Sequence, residues 1–276
     1  MTIGRSVAAA LGMPSGVAER KALFVSLFAL LVAASWAALW LWSASPYAQY
    51  VEHGGWGDAG VFAALCRSVP RGEFVVPAVL HASSWVLMVA AMMLPTTYPL
   101  LDMFRRITGA REDGGKLTLV VVLGFFVAWF AFGLAAHLAD ASLQWGAARY
   151  PWFITYGWTV GAAVLAAAGL FQFSALKYRC LEECRTPFGF VGARWHGLAP
   201  TRDAFRIGFD HGVFCVGCCW ALMLVMVVVG IGSLGWMLAL AAVMAAEKNL
   251  PGGRRLRTPL GLGLIGWAAG IVIANA

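Results

Sequence analysis

Charge is scarce in this chain. Only 12% of its 276 residues are Asp, Glu, Lys or Arg, against 61% hydrophobic. That excludes a soluble domain of this length, whose surface would need about twice the charged fraction. Acidic residues are scarcest, 13 against 20 basic, for a net charge of +7. A positive balance serves nucleic-acid binding when it gathers into a patch. Here the basic residues sit in short segments between apolar runs, the pattern of membrane topology, so nucleic acid is set aside as a partner. The chain also lacks a nucleotide-binding glycine loop, an acyl-transfer motif and an H-E-x-x-H sequence, so no catalytic residue or enzymatic activity is assigned. Six cysteines in a chain of this size do not make the framework of a secreted disulfide domain.

What is present is an all-α polytopic membrane protein with about seven transmembrane helices, its partner being the lipid bilayer. Residues 1–22 read as a loosely ordered basic leader and residues 23–276 as one transmembrane helical domain. The run from Leu23 to Trp42 is about twenty residues, enough to cross a hydrocarbon core of roughly 30 Å. An outer loop follows at 43–77, with Trp36, Trp40, Trp42 and Trp56 suited to the interface. Glu52, His53 and Asp58 in that loop read as solvated residues rather than an accessory metal site. Further helices are expected at about 78–94, ending at Pro95, then at 117–139, 153–176, 210–230, 233–246 and 259–273. Residues 102–116 read as a charged turn, and 177–207 as an irregular basic, cysteine-containing cytoplasmic loop. Gly266 and Gly270 suit close helix packing. A cytoplasmic N-terminus leaves only Arg67, Arg71 and Arg149 of the 20 Lys and Arg residues outside, which fixes the expected orientation.

The chemistry gathers in two short segments. In residues 206–226, RIGFDHGVFCVGCCWALMLVM, helical spacing places His211, Cys215 and Cys218 on one stripe, with Cys219 at its edge and Met226 two turns deeper. Cys180 and Cys184 stand at i, i+4 on a second helical face. Met92 and Met93 close the helix that ends at Pro95. All these ends fall on the cytoplasmic side in the expected topology, where thiols stay reduced. Thiolate, imidazole and thioether are ligands for soft metals, so the candidate ligands are Cys180, Cys184, His211, Cys215, Cys218, Cys219, Met92 and Met93. Glu247 beside Lys248 reads as a neutralised pair at a helix end, the alternative being a proton-linked gate. Lys177, Arg179 and Arg185 either offset thiolate charge or snorkel to the interface.

The pieces AMMLP (91–95), K-x-x-C-L-x-x-C-R-x-P (Lys177 to Pro187), H-G-x-x-C-x-G-C-C-W-x-L-M (His211 to Met223) and Glu247-Lys248 carry a resemblance. Over about residues 75–250 the chain resembles a bacterial family of predicted metal-binding integral membrane proteins. The resemblance implies a metal site in the bacterial inner membrane and specifies no reaction.

A closed four-sulfur site of Cys180, Cys184, Cys215 and Cys218, with His211 or Cys219 competing, would suit zinc. A lower-coordinate site with methionines near it would suit Cu(I), and the membrane setting favours copper. The function expected is therefore binding of a soft metal, copper before zinc, and its handling, transfer or insertion, with a metal-donor or metal-acceptor protein as partner. The alternatives are a membrane thiol-disulfide carrier using Cys215 and Cys218 and a structural subunit of a membrane complex stabilised by zinc.

Overall fold

The computed structural model describes residues 15–44, 75–150, 152–229 and 233–275, and these residues form helices joined by turns, with no strand among them. Helix α1 (Ser15–Ser43) is followed by α2 (Val75–Met92), α3 (Tyr98–Thr108), α4 (Gly114–Arg149), α5 (Trp152–Tyr156), α6 (Trp158–Phe171), α7 (Ala175–Arg185), α8 (Pro187–Gly192), α9 (Pro200–Val229), α10 (Leu234–Asn249) and α11 (Arg257–Asn275). The part of the leader that is described, from Ser15 on, is helical rather than loosely ordered. Residues 45–74, which hold nearly all of the outer loop with Glu52, His53, Asp58 and Cys66, lie outside the described residues.

Every expected apolar run is helical over most of its described length, but not all are long enough to cross a bilayer. Four helical stretches have the length and composition of a span: Lys21–Ser43, Gly114–Ala139, Pro200–Met226 and Gly253–Asn275. Among the described residues the number rises to six if each of two bent pairs is one crossing, one fewer than the seven expected. The shortfall lies in α10, whose 16 residues rise about 24 Å, less than the roughly 30 Å of a hydrocarbon core.

Both bends have local causes. After α2 the chain turns by 46° at Met93, because Pro95 enters the next turn with no N–H to continue the ladder. The Thr96 and Thr97 hydroxyls then donate to the Met93 and Leu94 carbonyls, each at 2.7 Å, so the break leaves those acceptors satisfied. Between α6 and α7 the bend is 63°. Ser174 in extended conformation caps α7, its hydroxyl accepting from the Lys177 N–H at 3.1 Å.

Two expected loops are helical as well. Residues 102–116 contain most of α3, an amphipathic helix that buries Leu100, Leu101 and Phe104 while Arg106 and Ile107 stay exposed. Residues 177–207 contain most of α7, all of α8 and the first turns of α9, which begins at Pro200 rather than Asp210. Pro200, placed at the start of a helix where a missing N–H costs nothing, allows that early beginning. Phe104, Leu117, Val121, Phe190, Val191, Ala204 and Ile207 join into one buried cluster. It packs α3, α8 and the first turns of α4 and α9 into a cap over one end of the bundle.

At the centre α4 and α9 run side by side with their backbones in contact. A methyl built on Gly208 would lie 1.9 Å from the Val121 carbonyl oxygen, and one on Gly124 would lie 2.4 Å from that of Phe205. In lipid, where apolar burial drives helix association weakly, such close approach supplies the packing. Between α6 and α11 the same role falls to Gly169 and Gly261, whereas Gly266 and Gly270, expected to pack, have nothing within 4 Å. Gly208→Ala should therefore force α4 and α9 apart and cost about 1–3 kcal/mol or more. Thermal unfolding in detergent should show a clearly lowered midpoint for Gly208→Ala and little change for Gly266→Ala.

Candidate metal centre

All five described cysteines are free thiols. Cys215, Cys218 and Cys219 sit on consecutive turns of α9 at i, i+3 and i+4, and each is at most 2% exposed. Cys184 reaches them from α7, its sulfur 4.0 Å from that of Cys218. The Cys218 sulfur is 3.3 Å from that of Cys219 and donates to the Cys215 carbonyl at 3.2 Å. Cys184, Cys218 and Cys219 thus touch sulfur to sulfur and Cys215 joins them through its carbonyl, in one group of which Cys184 alone is partly exposed.

The other predicted residues surround this group at different distances. Cys180, one turn before Cys184, is buried against the α9 backbone, and a methyl on Gly217 would meet its sulfur at 2.6 Å. The absence of a side chain at Gly217 is what lets α7 approach so closely. Met92 and Met93 are at most 1% exposed and belong to the same core cluster as the thiols, with Met88, Met223, Met226, Met237 and Met244. His211, one turn before Cys215, lies toward the cap between the rings of Phe125 and Phe190, at centroid distances of 6.2 and 5.5 Å. Its Nδ1 is buried without a hydrogen-bond partner. Among the described residues, no three His, Cys, Asp or Glu side chains surround a common point as a preformed metal cage would. The thiols are packed on one another instead.

The charged residues beside the sulfurs differ from those expected. Glu247 and Lys248 do not neutralise each other, because adjacent residues on a helix point about 100° apart. Glu247 instead accepts from Lys177 Nζ at 2.8 and 3.1 Å, and both side chains are 1% exposed. The Gln172 side-chain oxygen accepts from the same ammonium. Lys177 is therefore neither snorkelling nor available to the thiols. Lys248 turns the other way and donates to the Cys215 sulfur at 2.8 Å and to Thr96 Oγ1 at 3.2 Å. It is the cation of the sulfur group, and it ties α10 to α9 and to the bend after α2. Arg185 closes the assembly from outside by donating to the backbone carbonyls of Glu247, Lys248 and Leu250. These are the carbonyls a helix leaves open at its C-terminus, where a cation is favoured. Arg179 is exposed.

The fold and this group define a helical protein with spans of membrane length and a buried sulfur cluster held beside an ammonium. The model of the PpoB2 family, described as copper chaperones, matches residues 82–271. The chain belongs to that family. Its function is thereby copper-related, which narrows the metal-binding resemblance seen in the motifs. No curated protein and no solved structure matches the chain at a significant level.

Proposed function

We propose that the chain is a membrane-embedded Cu(I) carrier that takes the ion into the group formed by Cys184, Cys215, Cys218 and Cys219 and passes it to an acceptor protein. The observation that carries this reading is the gathering of four cysteines from two helices, three of them buried and one partly exposed, inside a core that holds seven methionines. Soft donors without oxygen ligands or an enclosing tetrahedral cage suit Cu(I) at low coordination better than structural zinc. Lys248 supplies one positive charge against the net negative charge of Cu(I) held by two thiolates, which lowers the cost of holding that centre away from water.

The sulfur group belongs on the cytoplasmic side. The charge bias of the sequence supports that placement, and the helix directions are compatible with it. Helices α4 and α9 begin at the same end, where Gly208 meets Val121 and Gly212 meets Phe125. Phe24 and Phe28 near the start of α1 touch Tyr98 at the start of α3. These directions agree with an N-terminus inside.

Protein purified under reducing conditions should retain Cu(I) in preference to zinc. In membrane vesicles a membrane-impermeant Cu(I) chelator should strip the metal from inside-out preparations far faster than from right-side-out ones. Failure to hold copper in the presence of a thiol reductant would overturn the assignment, and equal stripping from both faces would overturn the placement.

A further inference from the structure

The four sulfurs are not equivalent. Cys215, Cys218 and Cys219 are sealed, at 0%, 2% and 1% exposure, whereas Cys184 is partly exposed. Cys184 also stands in the last turn of α7, where its neighbours Glu182, Glu183 and Arg185 are charged and partly exposed. A helix end carrying three charges faces water rather than hydrocarbon. On its inner side the Cys184 sulfur stands 4.0 Å from Cys218. Two sulfurs at that separation, each about 2.3 Å from a shared metal, subtend an angle of about 120°. One ion can therefore be held by both at once, as a hand-over between them requires. Beyond Cys218 lie Cys219 at 3.3 Å and Cys215, the latter held by Lys248 at 2.8 Å.

From this ordering we infer that Cys184 is the port of the sulfur group, the thiol through which copper enters and leaves, and that Cys215, Cys218 and Cys219 are the seat in which it rests. This rests on the Cu(I) reading above and gives that site its direction. The step is ligand exchange without redox change. The Cys184 thiolate forms a bond to Cu(I) as the donor's thiolate releases it, and Cys218 then bonds as Cys184 lets go. Each incoming thiol loses a proton and each departing thiolate gains one, so charge and copper oxidation state are conserved. Cys180 has no part in the path, because its sulfur faces the Gly217 backbone.

The test uses the full chain in detergent, with Cu(I) supplied from a soluble chelator complex and exchange followed by the absorbance of the copper–thiolate bond. Cys184→Ser should still bind copper, less tightly than the wild type because one soft donor is lost, and should load and unload it at least tenfold more slowly. Cys180→Ser, one turn away on the same helix, should match the wild type in both respects and serves as the control for disturbance of α7. In the unloaded wild type a water-soluble maleimide should modify Cys184 before any other thiol of the group. Unchanged exchange rates in Cys184→Ser, loss of its bound copper, or first labelling at a seat cysteine would each overturn the port. Absence of copper from the wild type would instead overturn the underlying function, so the two failures are distinguishable.

Discussion

Replacing Cys218 with serine is expected to remove nearly all bound copper while leaving the fold in place. Cys218 is the hub of the sulfur group, the thiol that touches Cys184 at 4.0 Å, Cys219 at 3.3 Å and Cys215 through its carbonyl. A serine hydroxyl there keeps the bond to the Cys215 carbonyl and is somewhat smaller than the thiol, so no acceptor is orphaned and no atom is overpacked. What it removes is the soft donor common to every pair in the group, and oxygen is a poor ligand for Cu(I). Loss of an outer hydrogen-bond partner of a metal ligand lowers affinity about 10–100-fold; loss of the central ligand should exceed that range. Competition against a Cu(I) chelator measures it directly. Affinity within tenfold of the wild type would show that the metal rests elsewhere, and Met92, Met93 and His211 would be the next residues to replace.

The stripe of Cys215 and Cys218 was legible because helical periodicity assigns residues to faces without knowledge of the neighbours. The i, i+4 pair of Cys180 and Cys184 was legible on the same ground, and both segments are helical, the first of them within residues 177–207 that otherwise read as an irregular loop. Periodicity does not say which member of a pair looks inward. That depends on the Gly217 contact and on the bend at Ser174, which bring Cys184 to Cys218 and turn Cys180 onto the backbone. Lys248 was read as the partner of the residue beside it in sequence. Its actual partners, Cys215 and Thr96, are 33 and 152 positions away and meet it through helix packing alone. The span count fell short for a simpler reason. Apolar composition marks a buried helix and a crossing one alike, and α10 is apolar but short.

Glu247→Ala is expected to be the most damaging change outside the sulfurs. The carboxylate and the Lys177 ammonium are each 1% exposed and 2.8 Å apart, so removing the acid leaves a charge with no route to water. Breaking a buried pair in this way costs about 3–5 kcal/mol, a large part of the stability of an ordinary domain. Replacing both partners with apolar residues of similar volume, as in Lys177→Met with Glu247→Leu, removes the desolvated charges together and should recover much of the loss. The double variant separates two roles that the single one confounds. If the pair serves only packing, the recovered protein should bind copper like the wild type. The end of α10 is also fixed through Arg185, which bonds the Glu247, Lys248 and Leu250 carbonyls, and that attachment survives in the double variant. Lys248 should therefore keep its place against Cys215, and copper affinity should return with the unfolding midpoint. A double variant restored in stability but not in copper binding would instead assign the Lys177–Glu247 charges to the metal centre, and an unchanged midpoint in Glu247→Ala would refute the buried pair itself.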